Sequence, residues 1–428
     1  MTAELRKLEV RLERARDDSD LVGHLVEHRG QVGFEYAAAF ISAGRSISPL
    51  KLPLQAGLVW APAQGRLHGV FDDALPDGWG MLLMDRHFRR SGSDPHGVGA
   101  LDRLAYLGSR TMGALTFHPP ADDRLVITDL LDLQRLADAA EQVLEGEASE
   151  VLPQLQQAGG TPGGARPKVL VALRGDQMRA GAELPPEGHE SWLIKFSGSR
   201  EPADMGAIEH VYANLARRAG ISVPETRLFT TATGQRFFGV RRFDRVGSTR
   251  LHIHTLAGLL NADFRLPNLD YDHFFRVTAR LTRSQLEVTE VFRRMLFNVL
   301  AHNRDDHGKN SSYIMDREGA WSLAPAYDLT FSGGPGGHHT MAIHGETLRP
   351  TWRDMLALAH PAGIDLRAAA AVLEQVRAAV HTWAAEARAH GIDAGTIARQ
   401  SKRLAAVEQA MQLPNGVVSP PRRTRRKP

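Results

Sequence analysis

A chain of 428 residues with 43% hydrophobic and 24% charged side chains has an ordinary globular balance and is too long for one compact core. It contains no cysteine, which excludes a disulfide framework and a thiolate metal site and fits a reducing compartment. The formal net charge is +3, yet five basic residues fall in the closing RRTRRKP, so the basic character belongs to the tail and not to the body.

The opening MTAELRKLEVRLERARDDSD is charged throughout and lacks the apolar centre of a signal peptide. No stretch approaches the roughly 18 apolar residues of a membrane span, so a cytoplasmic location without a membrane partner is expected. Leu8, Val10 and Leu12 alternate with charged residues, and LVGHLVEH and QVGFEY follow at hairpin spacing, which predicts strands. An irregular segment with ISPLKLPLQ leads to FDDALPDGWGMLLMDRHFRR, whose second half predicts a helix. RLAYLGSRTMGALTFHP reads as a helix end, a glycine turn and a strand, so residues 1–120 form one small α+β unit.

A polar, acidic helix pair around DLLDLQRLADAAEQVLEG follows and ends in the glycine-rich GGTPGGARPK. Strands are then predicted at KVLVALRGD and SWLIKFSG, with a helix from Met205 to Ala219. Ile208, Val211, Tyr212, Leu215 and Ala219 recur along that helix at helical spacing. Further strands fall at TRLFTTAT and RFFGVRRFDR, so 121–250 reads as a β-rich lobe. Residues 251–412 read as mostly helical, interrupted by one polar segment between 302 and 347; the basic tail 413–428 reads as disordered. The whole predicts an α+β, two-lobed fold of protein-kinase-like layout, with polar motifs at the lobe junction.

The strongest chemical signal is AHNRDDHGKNSSYIMDREGAWSLAPAYDLTFS. Asp305 precedes Asn310 by five positions, and Asp328 follows a predicted hairpin. Phosphoryl transfer needs a carboxylate near the attacking hydroxyl and oxygen ligands for magnesium bridging the phosphates, and these groups stand in the chain order protein kinases use. The plain alternative is a polar loop with capping Asp and Asn residues. A metal hydrolase using His302, Asp305, Asp306 and His307 is a second alternative, although metal-binding helices favour histidines four apart.

Upstream, Lys195 stands among apolar residues in SWLIKFS, and Glu209 lies fourteen positions later on the predicted helix, close to Glu201 and Asp204. A strand lysine held by a helix glutamate is the phosphate-contacting pair of kinases; the bland reading is an edge-strand lysine and a surface glutamate. The glycines of GGTPGGARPK can turn backbone N–H groups toward an anion, although the run is not a Walker motif and also suits a linker. The histidines of LHIHT and GGPGGHHTMAIHGE are read as loop or partly buried hydrogen-bonding residues, with no metal assigned.

Taken together, LPLQ, ALPDGWG, GGARPK, LIKF, RRFDR, NRDDHGKN, PAYDL and HTMAIHGE resemble the HipA-type serine/threonine kinases of bacterial toxin–antitoxin modules, along nearly the whole chain. The resemblance implies an ATP- and Mg2+-dependent kinase. Asp305 would be its catalytic residue, Asn310 and Asp328 its magnesium ligands and Lys195 its phosphate-contacting lysine. It places Gly163, Gly164, Ala165 and Lys168 in the phosphate loop, Phe243 against adenine, and His307 and Lys309 in support of the catalytic loop or at the phosphates. Thr161 stands where family members autophosphorylate a serine, and its β-branch restricts the hydroxyl. A protein substrate, such as an aminoacyl-tRNA synthetase, and a small helix-turn-helix antitoxin are implied as partners. No helix-turn-helix is evident in this chain, so DNA would be reached through that partner or weakly through the tail. A kinase-fold binding module without catalysis and a small-molecule kinase are the alternatives.

Overall fold

Alternation at the N-terminus builds a sheet with one buried face. The computed structural model describes residues 6–63, 66–121, 130–146, 153–159, 164–181, 183–198, 201–263 and 265–411. β1 (Arg6–Ala15) buries Leu8, Val10 and Leu12, and pairs with β2 (Asp18–His28), which pairs with β3 (Gln31–Tyr36). With β4 (Leu58–Trp60) and β5 (Leu115–His118) the order is β4-β3-β2-β1-β5. Its inner face meets Phe40, Phe71 and Leu104 in a first core, which Met315 joins from far along the chain.

A second antiparallel sheet, ordered β7-β6-β8-β10-β9, contains β6 (Lys168–Arg174), β7 (Gln177–Ala180), β8 (Glu190–Lys195), β9 (Thr226–Thr230) and β10 (Arg236–Arg241). Alternate residues of a strand point to opposite faces. Val169, Val171 and Ile194 accordingly enter a second core with Leu136, Val143 and Leu155 of the helices Leu133–Glu145 and Pro153–Gly159. Lys168, Leu193 and Lys195 line the cleft on the other side. β8 is the central strand, which rules out the edge-strand reading of Lys195.

The helix Met205–Arg218 packs across β9 and β10, with Gly206 so close that a Cβ there would lie 2.6 Å from the Arg236 carbonyl oxygen. Its apolar residues join the third and largest core. The helices Tyr271–Thr282, Gln285–Leu300, Trp352–Ala359, Leu366–His381, Trp383–Ala389 and Ala394–Ala410 supply most of the rest, joined by Leu256, Tyr313 and Ile343 from outside them. Within this helical lobe β13 (His252–Thr255), β14 (Ser312–Met315) and β15 (Trp321–Leu323) form a small sheet, after the short hairpin of β11 (Arg245–Val246) and β12 (Thr249–Arg250). The β14–β15 hairpin agrees with its prediction; β13 is a strand where the sequence reads as helical from 251. Among the described residues no helix is long and apolar enough to cross a membrane. The tail 413–428 lies outside the described residues.

Candidate active site

A cleft of about 790 Å³ lies between the second sheet and the helical lobe, with the N-terminal unit contributing Asp73, Ala74, Asp77 and Gly78 to its wall. The Gln285–Leu300 helix ends at Ala301, and His302 turns the chain with φ +55°. The following NRDDHGKN loop is pinned from beneath by Asp306. That buried carboxylate accepts hydrogen bonds from the Tyr271 hydroxyl (3.0 Å), His339 Nδ1 (3.0 Å) and the Thr340 amide (2.9 Å). Its neighbour Asp305 faces the cleft with His307, whose Nε2 lies 3.9 Å from Asp305 Oδ1. Asn310 Nδ2 donates to the Asp305 carbonyl at 2.8 Å, which closes the loop and leaves the amide oxygen of this cleft-lining residue as an acceptor.

The next acid arrives through the hairpin. Asp328 follows β15 with φ +58°, a conformation sparsely used by non-glycine residues and typical of functional sites. Tyr327 beside it donates its hydroxyl to the Lys309 carbonyl at 2.6 Å and also contacts Ser312 Oγ, so the hairpin and the loop hold one another.

Lys195 joins the two lobes. Its ammonium is bonded both to Glu209 Oε1 and to Asp328 Oδ1. Glu209 is only 1% exposed, which rules out its surface reading, and its second oxygen takes Arg166 Nη1 at 2.6 Å. Arg166 Nε also reaches Glu201 Oε2 at 3.0 Å. Burial works against the charge on Lys195, but Asp328 and Glu209 outweigh it and raise its pKa. Burial likewise opposes the charge on Asp328, and Lys195 with Lys168 holds it well below the usual carboxylate range. At Asp305, burial together with Asp328 and Asp306 raises the carboxyl pKa despite His307. The two cleft acids are thereby pushed in opposite directions, Asp328 downward and Asp305 upward.

Lys168 enters from the start of β6, fully buried, and burial together with Lys195 lowers its pKa to about 8. Gly164, at φ +92°, makes room for it: a Cβ there would lie 2.3 Å from Lys168 Nζ. The Gly164 N–H donates to Asp77 Oδ1, while Ala165 lines the cleft. Phe243 is half-buried on the cleft wall and stacks on Tyr327 with ring centroids 5.7 Å apart. The Lys309 ammonium lies 3.8 Å from Asp77 Oδ2. Of the residues singled out in the sequence, Asp305, Asn310, Asp328, Lys195, Lys168, Gly164, Ala165, Phe243, His307 and Lys309 are thus brought to one cleft. Thr161 and Gly163 lie outside the described residues.

The other histidines take structural places. His302 stacks on Phe331 and bonds the Ser332 carbonyl, away from Asp305. His254 bridges Asp73 (2.7 Å) and Ser48 (2.9 Å), and His252 meets the Ile47 carbonyl. Among the described residues no three His, Asp or Glu side chains are grouped to hold a metal ion. Of the four residues of the hydrolase alternative, Asp305 and His307 line the cleft, while His302 and Asp306 are held in structural contacts beneath it. The sequence assigns no role to Asp77, Arg166 or Tyr327, although ALPDGWG, GGARPK and PAYDL mark their neighbourhoods.

The HipA-like C-terminal domain matches residues 160–384, and the HipA N-terminal domain matches residues 15–118. Two similar proteins of Sinorhizobium fredii are named "Putative kinase Y4dM" and "Putative kinase Y4mE". The first is 27% identical over 278 residues, 60% of this chain, and the chain spans 63% of its length. The second is 26% identical over 340 residues, covering 73% of this chain and 75% of its own length. A solved structure of the HipA, HipB and operator DNA complex from the Shewanella oneidensis MR-1 toxin–antitoxin system contains a chain with the same fold. The TM-score is 0.70 at 17% identity, over 94% of this chain and 97% of that one.

Proposed function

This chain belongs to the HipA-like family, and on that premise we propose that it is an ATP- and magnesium-dependent serine/threonine protein kinase, the toxin of a toxin–antitoxin module. The observation that carries the reading is the relay from buried Glu209 and Lys195 to the half-buried Asp328, beside Asp305 and Asn310. A lysine paired with a helix glutamate and facing a hairpin aspartate is the arrangement phosphoryl transfer uses to position phosphates.

The donor set suits magnesium. Mg2+ is usually held by one or two protein oxygens with phosphates and water completing its shell, and Asp328 and Asn310 supply such a pair on one wall. Bound there, the ion would neutralise phosphate charge. The remaining work belongs to the chain. Lys195 and Lys168 present cations to phosphate oxygens, Asp305 accepts the hydroxyl proton of the protein substrate, and His307 and Lys309 flank that transfer. Phe243 offers an aromatic face to the nucleotide base. Positioning and fixed charge account for most of such catalysis.

A translation-related protein such as an aminoacyl-tRNA synthetase is the proposed target, which puts the work in the cytoplasm. The Shewanella complex of HipA, HipB and operator DNA supports an antitoxin as partner, with DNA contacted through it; the proposed form of that partner is a small helix-turn-helix protein. Thr161 is the proposed autoregulatory phosphosite. Intact-mass analysis and phosphopeptide mapping after incubation with ATP and magnesium test the whole reading. The wild type gains phosphate, at Thr161 in the absence of substrate, and Asp305→Asn loses about two to four orders of magnitude in rate with an unchanged melting curve. Equal turnover in Asp305→Asn or Asp328→Asn, or a wild type that neither binds nucleotide nor gains phosphate, overturns it.

A further inference from the structure

The ALPDGWG motif does more than accompany the fold. Asp77 Oδ1 accepts the Gly164 N–H, the Trp79 N–H donates to the Gly164 carbonyl at 3.0 Å, and Trp79 Nε1 donates to the Lys168 carbonyl at 3.0 Å. Gly78 between them passes so near that a Cβ would lie 2.6 Å from Ala165 Cα. The segment is itself anchored. Trp79 and Leu83 of the helix Gly78–Arg90 are buried in the second core beside Val169, Val171 and Ile194. The other Asp77 oxygen, 3.8 Å from Lys309 Nζ, reaches the catalytic loop.

We infer that Asp77, Gly78 and Trp79 form a clip by which the N-terminal unit fixes the phosphate loop at both ends of residues 164–168 and ties it to Lys309. These are positioning residues, and the inference rests on the kinase reading above. The physical reason is preorganisation. A glycine-containing loop has unusual conformational freedom to lose, and a loop already ordered binds its ligand without that entropic loss. The clip performs the ordering in advance, using side chains that lie 87 residues upstream of the glycine they hold. It also fixes Lys168, whose carbonyl is bonded to a buried indole and whose ammonium enters the cleft.

The full chain carrying Asp77→Ala or Asp77→Asn is compared with the wild type in two measurements. The first is the affinity for ADP and ATP with magnesium, by calorimetry. The second is amide deuterium exchange of peptides covering residues 164–168, with those covering 6–36 as internal control. Asp77→Ala is expected to weaken nucleotide about tenfold or more and to speed exchange at 164–168 alone. Asp77→Asn keeps an oxygen for the Gly164 N–H, so exchange stays near wild type and only the part of the affinity owed to the Lys309 ion pair is lost. Wild-type affinity and exchange in Asp77→Ala overturn the inference. The exchange readout needs no nucleotide, so a wild type that binds none refutes the kinase reading while the clip is still tested. If Asp77→Ala does not fold cooperatively, Trp79→Phe removes the indole donor to Lys168 while keeping an aromatic ring in the second core, and is held to the same expectation.

Discussion

Lys168 and Lys195 carry the same side chain and are shifted in opposite directions: burial and the neighbouring Lys195 lower the first, while Asp328 and Glu209 outweigh burial and raise the second. For Lys168 the consequence is measurable. Its folded pKa of about 8 lies below the ordinary lysine value, so the folded state binds fewer protons than the unfolded one between the two. The charged form therefore costs stability below pH 8, and that cost is relieved as pH rises from about 8 toward about 10.5. Phosphates brought close to Lys168 should restore its proton. Nucleotide binding at about pH 9 is expected to take up nearly one proton, and at about pH 6 almost none, read by calorimetry in buffers of different ionisation enthalpy. Lys168→Met should abolish the uptake; an equal uptake in that variant would assign it elsewhere. At this scale the sequence was legible where contacts are local. Asp305, Asn310 and Asp328 sit on one loop and the hairpin after it, whereas Asp77 and Arg166 act on partners 87 and 43 positions away, which no spacing rule reaches.

Elements were legible where apolar residues fill the inward positions. The exception, β13, explains itself: its buried positions are His252 and His254, so the alternation that marks a strand is carried by polar side chains. The fold makes those histidines tolerable by giving each a partner, the Ile47 carbonyl for one and Asp73 with Ser48 for the other. A similar substitution of polar for apolar contacts governs the turn from β10 into β11. RRFDR was read for its phenylalanine, but Asp244 is its structural centre. Its carboxylate takes Arg242 at 2.7 Å and 2.9 Å, the Gly113 amide at 2.8 Å, and Arg245 at 2.5 Å, all buried. Arg245 in turn donates to the Gly113 and Thr111 carbonyls at 2.9 Å, which bolts the second sheet to the N-terminal unit. Removing one partner of such a cluster leaves buried charge uncompensated, so Asp244→Ala is expected to cost about 3–5 kcal/mol in urea unfolding at pH 7. Burial opposes the charge on Asp244 and the two arginines prevail, holding its pKa well below the carboxylate range. Its contribution is therefore present above about pH 4 and lost as pH falls further, and the wild-type and variant curves should converge in acid. A gap between them that persists unchanged at about pH 2 would refute the ionic explanation.

At the scale of the whole molecule, the cores do not follow the order of the chain. Trp79 and Leu83, from within the first 120 residues, belong to the core of the second sheet, and Met315 from the helical lobe belongs to the core of the first. Composition indicated more than one core, but it could not indicate this exchange, because hydrophobic periodicity tells which face of an element is buried and not against what. The exchange predicts that the N-terminal unit is structurally inseparable from the cleft. A chain starting at residue 121 loses Trp79 and Leu83 from the second core, the two Trp79 donors and the Asp77 acceptor that hold the loop, and the Gly113 end of the Asp244 cluster. Truncating a buried tryptophan alone costs about 3–5 kcal/mol, a large part of the 5–15 kcal/mol that stabilises a typical domain. The truncated chain should therefore lack a cooperative urea transition and bind no nucleotide, while Trp79→Ala in the full chain shifts the midpoint and leaves one transition. Both are read by fluorescence and far-ultraviolet dichroism. A truncated chain that unfolds cooperatively near the full-length midpoint would mean that the shared cores are contacts between independent domains. The loop over the cleft would then owe its order to something other than the unit that grips it.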